Sequence, residues 1–228
     1  MSDIIKIDFV GDWSSDLAIA LRTAFDWAEK GQHKLPPELL RMHGMSGKKY
    51  RALINNLLEV VPDPRYLEIG CWAGSTFCSS IWKNKCRAVA IDNWSQFGGP
   101  KDHFLSNVNQ FSNPDIDFQF IESDFVNVDY SNLGKFNVYM YDGPHEHDDQ
   151  SNGLQLVLPA LDDTFIWIVD DWNWPDPKNG TIDALTNVDV EVVASIEIHT
   201  TDDLTHAKVS HEQSDWHNGY FIAILKKL

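Results

Sequence analysis

The residues of this chain best suited to chemistry are carboxylates that follow short apolar runs. Asp92 follows Ala88 to Ile91, Glu122 and Asp124 follow Phe118 to Ile121, Asp142 follows Asn137 to Tyr141, and Asp170-Asp171 follows Phe165 to Val169. Runs of this length and composition predict buried strands. In an open parallel sheet ligands bind beyond the carboxyl ends of the strands, so acids there face a common crevice. Asp142, Asp170 and Asp171 at adjacent strand ends repel one another unless a cation sits among them or some keep their protons. All-oxygen ligands favour Mg²⁺, with Mn²⁺ or Ca²⁺ as substitutes, over Zn²⁺. Alternatively, Asp170 or Asp171 caps the next segment and Asp142 meets substrate without metal. His145 and His147 stand just beyond Asp142, and a histidine there can take a hydroxyl proton or orient a ligand from behind.

The second chemical feature is the stretch Tyr66-Leu67-Glu68-Ile69-Gly70-Cys71-Trp72-Ala73-Gly74-Ser75-Thr76-Phe77. An apolar run, two glycines and a Ser-Thr start predict a strand, a tight turn and a helix, where backbone can approach a ligand. Trp72 stands where a dinucleotide fingerprint needs its middle glycine, and no Lys precedes Ser75 as a P-loop requires. What remains, Glu68-x-Gly70-x-x-x-Gly74, resembles the first motif of the class I S-adenosylmethionine-dependent methyltransferases; the alternative is a plain strand-to-helix turn. Asp92 lies eighteen residues beyond Gly74, about where an acid reaches the hydroxyls of a ribose, and a carboxylate accepts from both hydroxyls of a diol. The resemblance implies cofactor contacts from Glu68, Gly70, Trp72, Gly74, Ser75, Asp92, Asn93 and Asp142, with Asp124 placed to accept from the adenine amino group. As a plain reading, Asp124 is a helix cap.

A narrower resemblance rests on Asp142-Gly143-x-His145, on Asp170-Asp171 twenty-eight residues later, and on Asp92-Asn93-Trp94-x-x-Phe97-Gly98. Together these look like the macrocin-type sugar O-methyltransferases, in which the first Asp and the later pair hold a divalent metal. The likeness spans about Tyr66 to Trp174. It implies Mg²⁺ or another divalent cation on Asp142, Asp170 and Asp171, and methyl transfer to a small hydroxylated acceptor, a sugar or sugar-containing metabolite. Two positions depart from it: Pro144 replaces the family's second acid, and Asp162-Asp163-Thr164 replaces glycines before the fifth strand. The catalytic pair expected here is therefore His145 with Asp142. The cephalosporin hydroxylase-like proteins share much of the pattern. A metal-dependent hydrolase or hydroxylase-like enzyme, and a non-catalytic cofactor-binding protein, are the rival readings.

Positioning these residues requires an α/β Rossmann-like fold. Strand patterns at Tyr66 to Ile69 and at the four runs above alternate with helical patterns at Ser75 to Trp82, Lys101 to Phe111 and His147 to Leu161. Val190 to Ile198 and Tyr220 to Leu225 read as an antiparallel hairpin with no helix between them. The expectation is a mostly parallel seven-stranded sheet with an antiparallel C-terminal strand and helices on both faces. Residues 1–62 read as a helical segment without strands, a cap on the same domain as residues 63–228. Trp72, Trp94, Trp172 and Trp174 are candidates to wall a substrate, whereas His199, His206, His211 and His217 show no ligand spacing.

Composition supports one domain: 228 residues, 43% hydrophobic. A net charge of -16 argues against a nucleic-acid partner. Three cysteines without Cys-x-x-Cys spacing predict neither a disulfide framework nor a zinc site, and point to reduced thiols of a cytoplasmic protein. Neither a leader pattern at Met1 to Ile4 nor an apolar stretch of membrane-spanning length is present in the sequence. Self-association into a homo-oligomer is left open.

Overall fold

The computed structural model describes residues 5–228; the Met1 to Ile4 start, read above for a leader, lies outside the described residues. Eight strands form one sheet, β1 (Lys6–Gly11), β2 (Arg65–Ile69), β3 (Cys86–Asp92), β4 (Ile116–Glu122), β5 (Phe136–Tyr141), β6 (Leu161–Val169), β7 (Val190–His199) and β8 (Tyr220–Lys227). Their spatial order is β1-β7-β8-β6-β5-β2-β3-β4. The five strands from β6 to β4 are parallel, while β8 pairs antiparallel with both β6 and β7. This is the expected α/β methyltransferase-type sheet, with one strand more than the sequence reading allowed. The extra strand is β1, which pairs antiparallel with β7 within the segment read as purely helical.

The helices are α1 (Asp16–Glu29), α2 (Pro37–Leu40), α3 (Lys48–Val60), α4 (Ser75–Ile81), α5 (Lys101–Phe111), α6 (His147–Gln155) and α7 (Pro175–Asn187). Ser15 caps α1 by accepting from the Ala18 N–H. One apolar layer joins α1, α3, α4 and α5 to one sheet face; a second joins the α6 and α7 side to the other. With both faces covered, β5 is buried at every position, Phe136 to Tyr141, as a central parallel strand requires. The pattern read as one helix from His147 to Leu161 divides into α6 and a 3-10 turn, Leu158–Ala160, where Pro159 removes a donor. Among the described residues no helix is long and apolar enough to cross a membrane.

From β2 the chain builds outward through β3 to β4, and β5 then pairs with the other side of β2. That reversal opens a crevice between the carboxyl ends of β2 and β5, the topological switch point where open α/β sheets bind ligands.

Candidate active site

At the switch point Gly70 leaves β2 with φ +84, and a Cβ there would lie 1.7 Å from the Asp142 carbonyl oxygen. Only glycine lets the two strand ends come this close. Asp92, at the end of β3, holds the turn that follows: its Oδ2 accepts from the Cys71 and Trp72 N–H groups, each at 2.8 Å, and its Oδ1 from the Trp94 N–H at 2.7 Å. The two indoles complete a latch, with Trp94 Nε1 donating to the Trp72 carbonyl and Trp72 Nε1 to that of Phe97. Asn93 Oδ1 accepts from the Ser95 N–H, and Asp124 Oδ1 caps a 3-10 turn through the Val126 N–H.

A cavity of about 360 Å³ lies over this floor, walled by Gly70, Trp72, Asp92, Asn93, Asp124 and Asp142 among others. Of the eight cofactor residues implied by the resemblance, five are on the wall together with Asp124, and Glu68, Gly74 and Ser75 are off it. Glu68 is 1% exposed and accepts from the Tyr66 hydroxyl at 2.5 Å; burial pushes its carboxyl up to about 8. Gly74 caps α4, and Ser75 is buried beside Ser46. Trp94 and Trp174 also line the cavity, whereas Trp172 is buried and stacks on Phe221 at 4.6 Å.

Asp142, Asp170, Asp171 and His145 meet on the same wall. The Asp142 carboxyl is held well above its ordinary range, by burial first and then by Asp170 and Asp171; Asp170 is raised by burial and then by Asp171. His145 Nε2 lies 3.1 Å from Asp171 Oδ2 and 3.6 Å from Asp142 Oδ1, so the imidazole bridges two of the acids. Its Nδ1 is buried without a partner among the described residues. His147 points elsewhere, pairing with Asp148 and Asp183 at the surface.

These three acids, expected from the sequence to hold a divalent cation, are brought together on one wall and are the donors a hard cation takes. Among the described residues no group of three or more His, Cys, Asp or Glu side chains is arranged to hold a metal ion. Several of their oxygens already have partners: Asp171 Oδ1 accepts from Asn218 Nδ2 at 2.8 Å, its Oδ2 faces His145, and Asp170 Oδ1 accepts from the Asp171 N–H.

Sequence reasoning missed the residues facing these acids. His206, His211, His217 and Asn218 line the cavity, carried there by the loop between β7 and β8. Asn218 is fully buried; its Oδ1 accepts from the Ala207 N–H, so its Nδ2 donates to Asp171 and lies 3.2 Å from His206 Nδ1. His217 Nδ1 accepts from the His211 N–H, and burial lowers this imidazole to about 4, leaving it neutral at pH 7. The available signal was topological: β8 lies beside β6, so the turn entering β8 must pass the β6 carboxyl end.

Residues 67–172 match a family model described as "Methyltransferase domain". Among curated proteins no sequence matches. Solved structures similar to this chain include the S-adenosylhomocysteine-bound methyltransferase PaMTH1 of Podospora anserina, at 15% identity and TM-score 0.55, covering 92% of this chain and 88% of that one. Another is the O-methyltransferase TomG of Streptomyces achromogenes in complex with S-adenosylmethionine, at 14% identity and TM-score 0.52, covering 91% and 89%. At these identities the structural likeness speaks for the fold, and the domain match covers the strands and turns that build the crevice. Residues 67–172, just under half of the chain, thus resemble a methyltransferase domain, set in a sheet of the methyltransferase fold.

Proposed function

We propose that the chain methylates a hydroxyl of a small acceptor, a sugar or sugar-containing metabolite, as in the macrocin-type sugar O-methyltransferases. The observation that carries this reading is the placement of Asp142 and His145 together at the switch point, beside the turn assigned to the cofactor. The cavity suits S-adenosylmethionine, a sulfonium cation, because its wall holds Asp92, Asp124, Asp142, Asp170 and Asp171 and no Lys or Arg. When bound, that cofactor supplies an electrophilic methyl group, which an acceptor oxygen takes as its proton leaves. Gly70, Trp72 and Asn93 shape the floor, Asp92 faces the ribose and Asp124 the adenine edge. His145 receives the acceptor's proton, Asp171 at 3.1 Å from its Nε2 supports the imidazolium that results, and Asp142 orients the pair from the other side. Holding acceptor and cofactor in register supplies much of the acceleration.

A divalent cation among Asp142, Asp170 and Asp171 is the second reading, favoured by the mutual repulsion that raises Asp142 and Asp170. Localisation is read as cytoplasmic. A small-molecule partner, rather than nucleic acid, follows from the -16 charge and the cation-free wall. The test is calorimetry with S-adenosylmethionine, followed by labelled-methyl transfer to a panel of sugars and catechols with and without chelator. Binding and chelator-insensitive transfer support the His145 arrangement, and chelator-sensitive transfer supports the cation. Absence of cofactor binding overturns the function.

A further inference from the structure

The crevice continues past His145 into a second cavity of about 650 Å³ that shares Phe97, Asp124, Pro144, His145 and Trp174 with the first. Because the two cavities are lined in common at this junction, a molecule held at the reacting centre has room to extend into the outer groove. Its wall has two chemical faces. One is apolar and partly open: Phe97 is 66% exposed, Val126 is 45% exposed, and Trp174 closes the side. The other is anionic, with Asp124, Glu146, Asp149 and Asp176 and again no Lys or Arg.

Acids at helix starts have an ordinary explanation, since Glu146 stands at the N-terminal boundary of α6, without a side-chain capping bond, and Asp149 and Asp176 sit in the first turns of α6 and α7. Two helix N-termini contribute about one positive charge between them, against four carboxylates. The deficit is visible at Asp149, whose carboxyl is held above its ordinary range by burial and then by Asp124 and Glu146, against the pull of its own helix. Carboxylates beside exposed aromatic faces are the surroundings an ammonium group prefers.

We propose that this outer groove is the acceptor subsite and that it takes acceptors carrying a protonated amine on a partly apolar body, excluding phosphorylated ones. The proposal rests on the methyl-transfer reading above. Three matched probes test it on protein saturated with S-adenosylhomocysteine: phenyl β-glucoside, its 2-amino-2-deoxy counterpart and its 6-phosphate, each titrated by calorimetry. The amine is expected to bind about three- to tenfold tighter than the neutral glycoside, and the phosphate about tenfold weaker. The double variant Asp149→Asn/Asp176→Asn is expected to erase the amine preference while S-adenosylhomocysteine binds as before. The proposal is overturned if the phosphate binds as well as the neutral probe, if the preference survives the double variant, or if no probe binds the loaded protein. Failure of S-adenosylhomocysteine itself to bind would instead remove the methyl-transfer reading, and this proposal with it.

Discussion

Asp142 and Asp92 both end central strands, yet their surroundings give them different work. Asp142 faces Asp170, Asp171 and His145, with its remaining surface on the cavity. Replacing it by Asn keeps the shape and removes one of the two acids that face His145, so transfer to an acceptor found by the panel should fall about 10²- to 10⁴-fold. Calorimetric affinity for S-adenosylhomocysteine should barely change; equal loss of both would assign Asp142 to the cofactor alone. Asp92 accepts three backbone N–H groups, which makes it a structural clasp as much as a ligand. In Asp92→Asn one acceptor oxygen becomes a donor, so a clasped N–H loses its partner at a cost of about 1–3 kcal/mol. The expected result is a lower denaturation midpoint together with weaker S-adenosylhomocysteine binding. Weaker binding at unchanged stability would show that the clasp contributes nothing.

At the scale of elements, the loop from α2 to α3 is fastened by one buried side chain. Arg51 is fully buried and donates to the carbonyls of Leu39, Met42 and Gly44 and to Ser46 Oγ; burial lowers it to about 10, so it stays charged at neutral pH. The loop it holds carries Met45 to the cavity wall and sets His43 against Trp72, with ring centroids 5.3 Å apart. Arg51→Met leaves buried carbonyls without donors, and Arg51→Lys cannot reproduce the planar fork. Both variants should show faster amide exchange over residues 39–46 and weaker S-adenosylhomocysteine binding, with the rest of the sheet still protected; unchanged exchange there would refute the clamp. The sequence exposed the parallel strands and their terminal acids because apolar runs ending in Asp are local signals. It hid three things that depend on distant partners. Strand β1 was a short alternation, with Ile7 and Phe9 packing on the core and no helix before it to announce a strand. Helix α7 opens Pro175-Asp176-Pro177 and contains Gly180, poor helix residues accepted because a Cβ at Gly180 would meet the His147 carbonyl at 2.3 Å, where α7 crosses α6. The histidines of the β7–β8 loop have no spacing rule at all; only the pairing of β8 with β6 brings them to the acids.

For the whole molecule, two separate sources of negative charge govern how stability depends on pH. The first is internal. Glu68 has its folded pKa raised from 4.5 to about 8 by burial, so the native state keeps a proton that the unfolded chain releases. Stability from this group is complete below about pH 4.5 and is lost as pH rises through about 8, a change on the order of 5 kcal/mol. Glu197 acts in the opposite sense: held down to about 2, chiefly by its hydrogen bond with His199, it adds stability as pH rises from about 2 to 4.5. Urea denaturation followed by Trp fluorescence should therefore be most resistant near pH 5 and decline toward pH 9. The second source is the surface, where a net charge of -16 repels itself increasingly as remaining groups ionise. The two are separable because salt screens exposed charges within about 3 Å at 1 M but hardly reaches a side chain that is 1% exposed. In 1 M NaCl the part of the alkaline decline that is due to the surface should disappear and the part due to Glu68 persist. Glu68→Gln, which keeps a partner for the Tyr66 hydroxyl, should remove the persistent part. If the decline vanished in salt while Glu68 was intact, the buried carboxyl would be ionised in the native state, and its protonated placement beneath the glycine turn would be wrong.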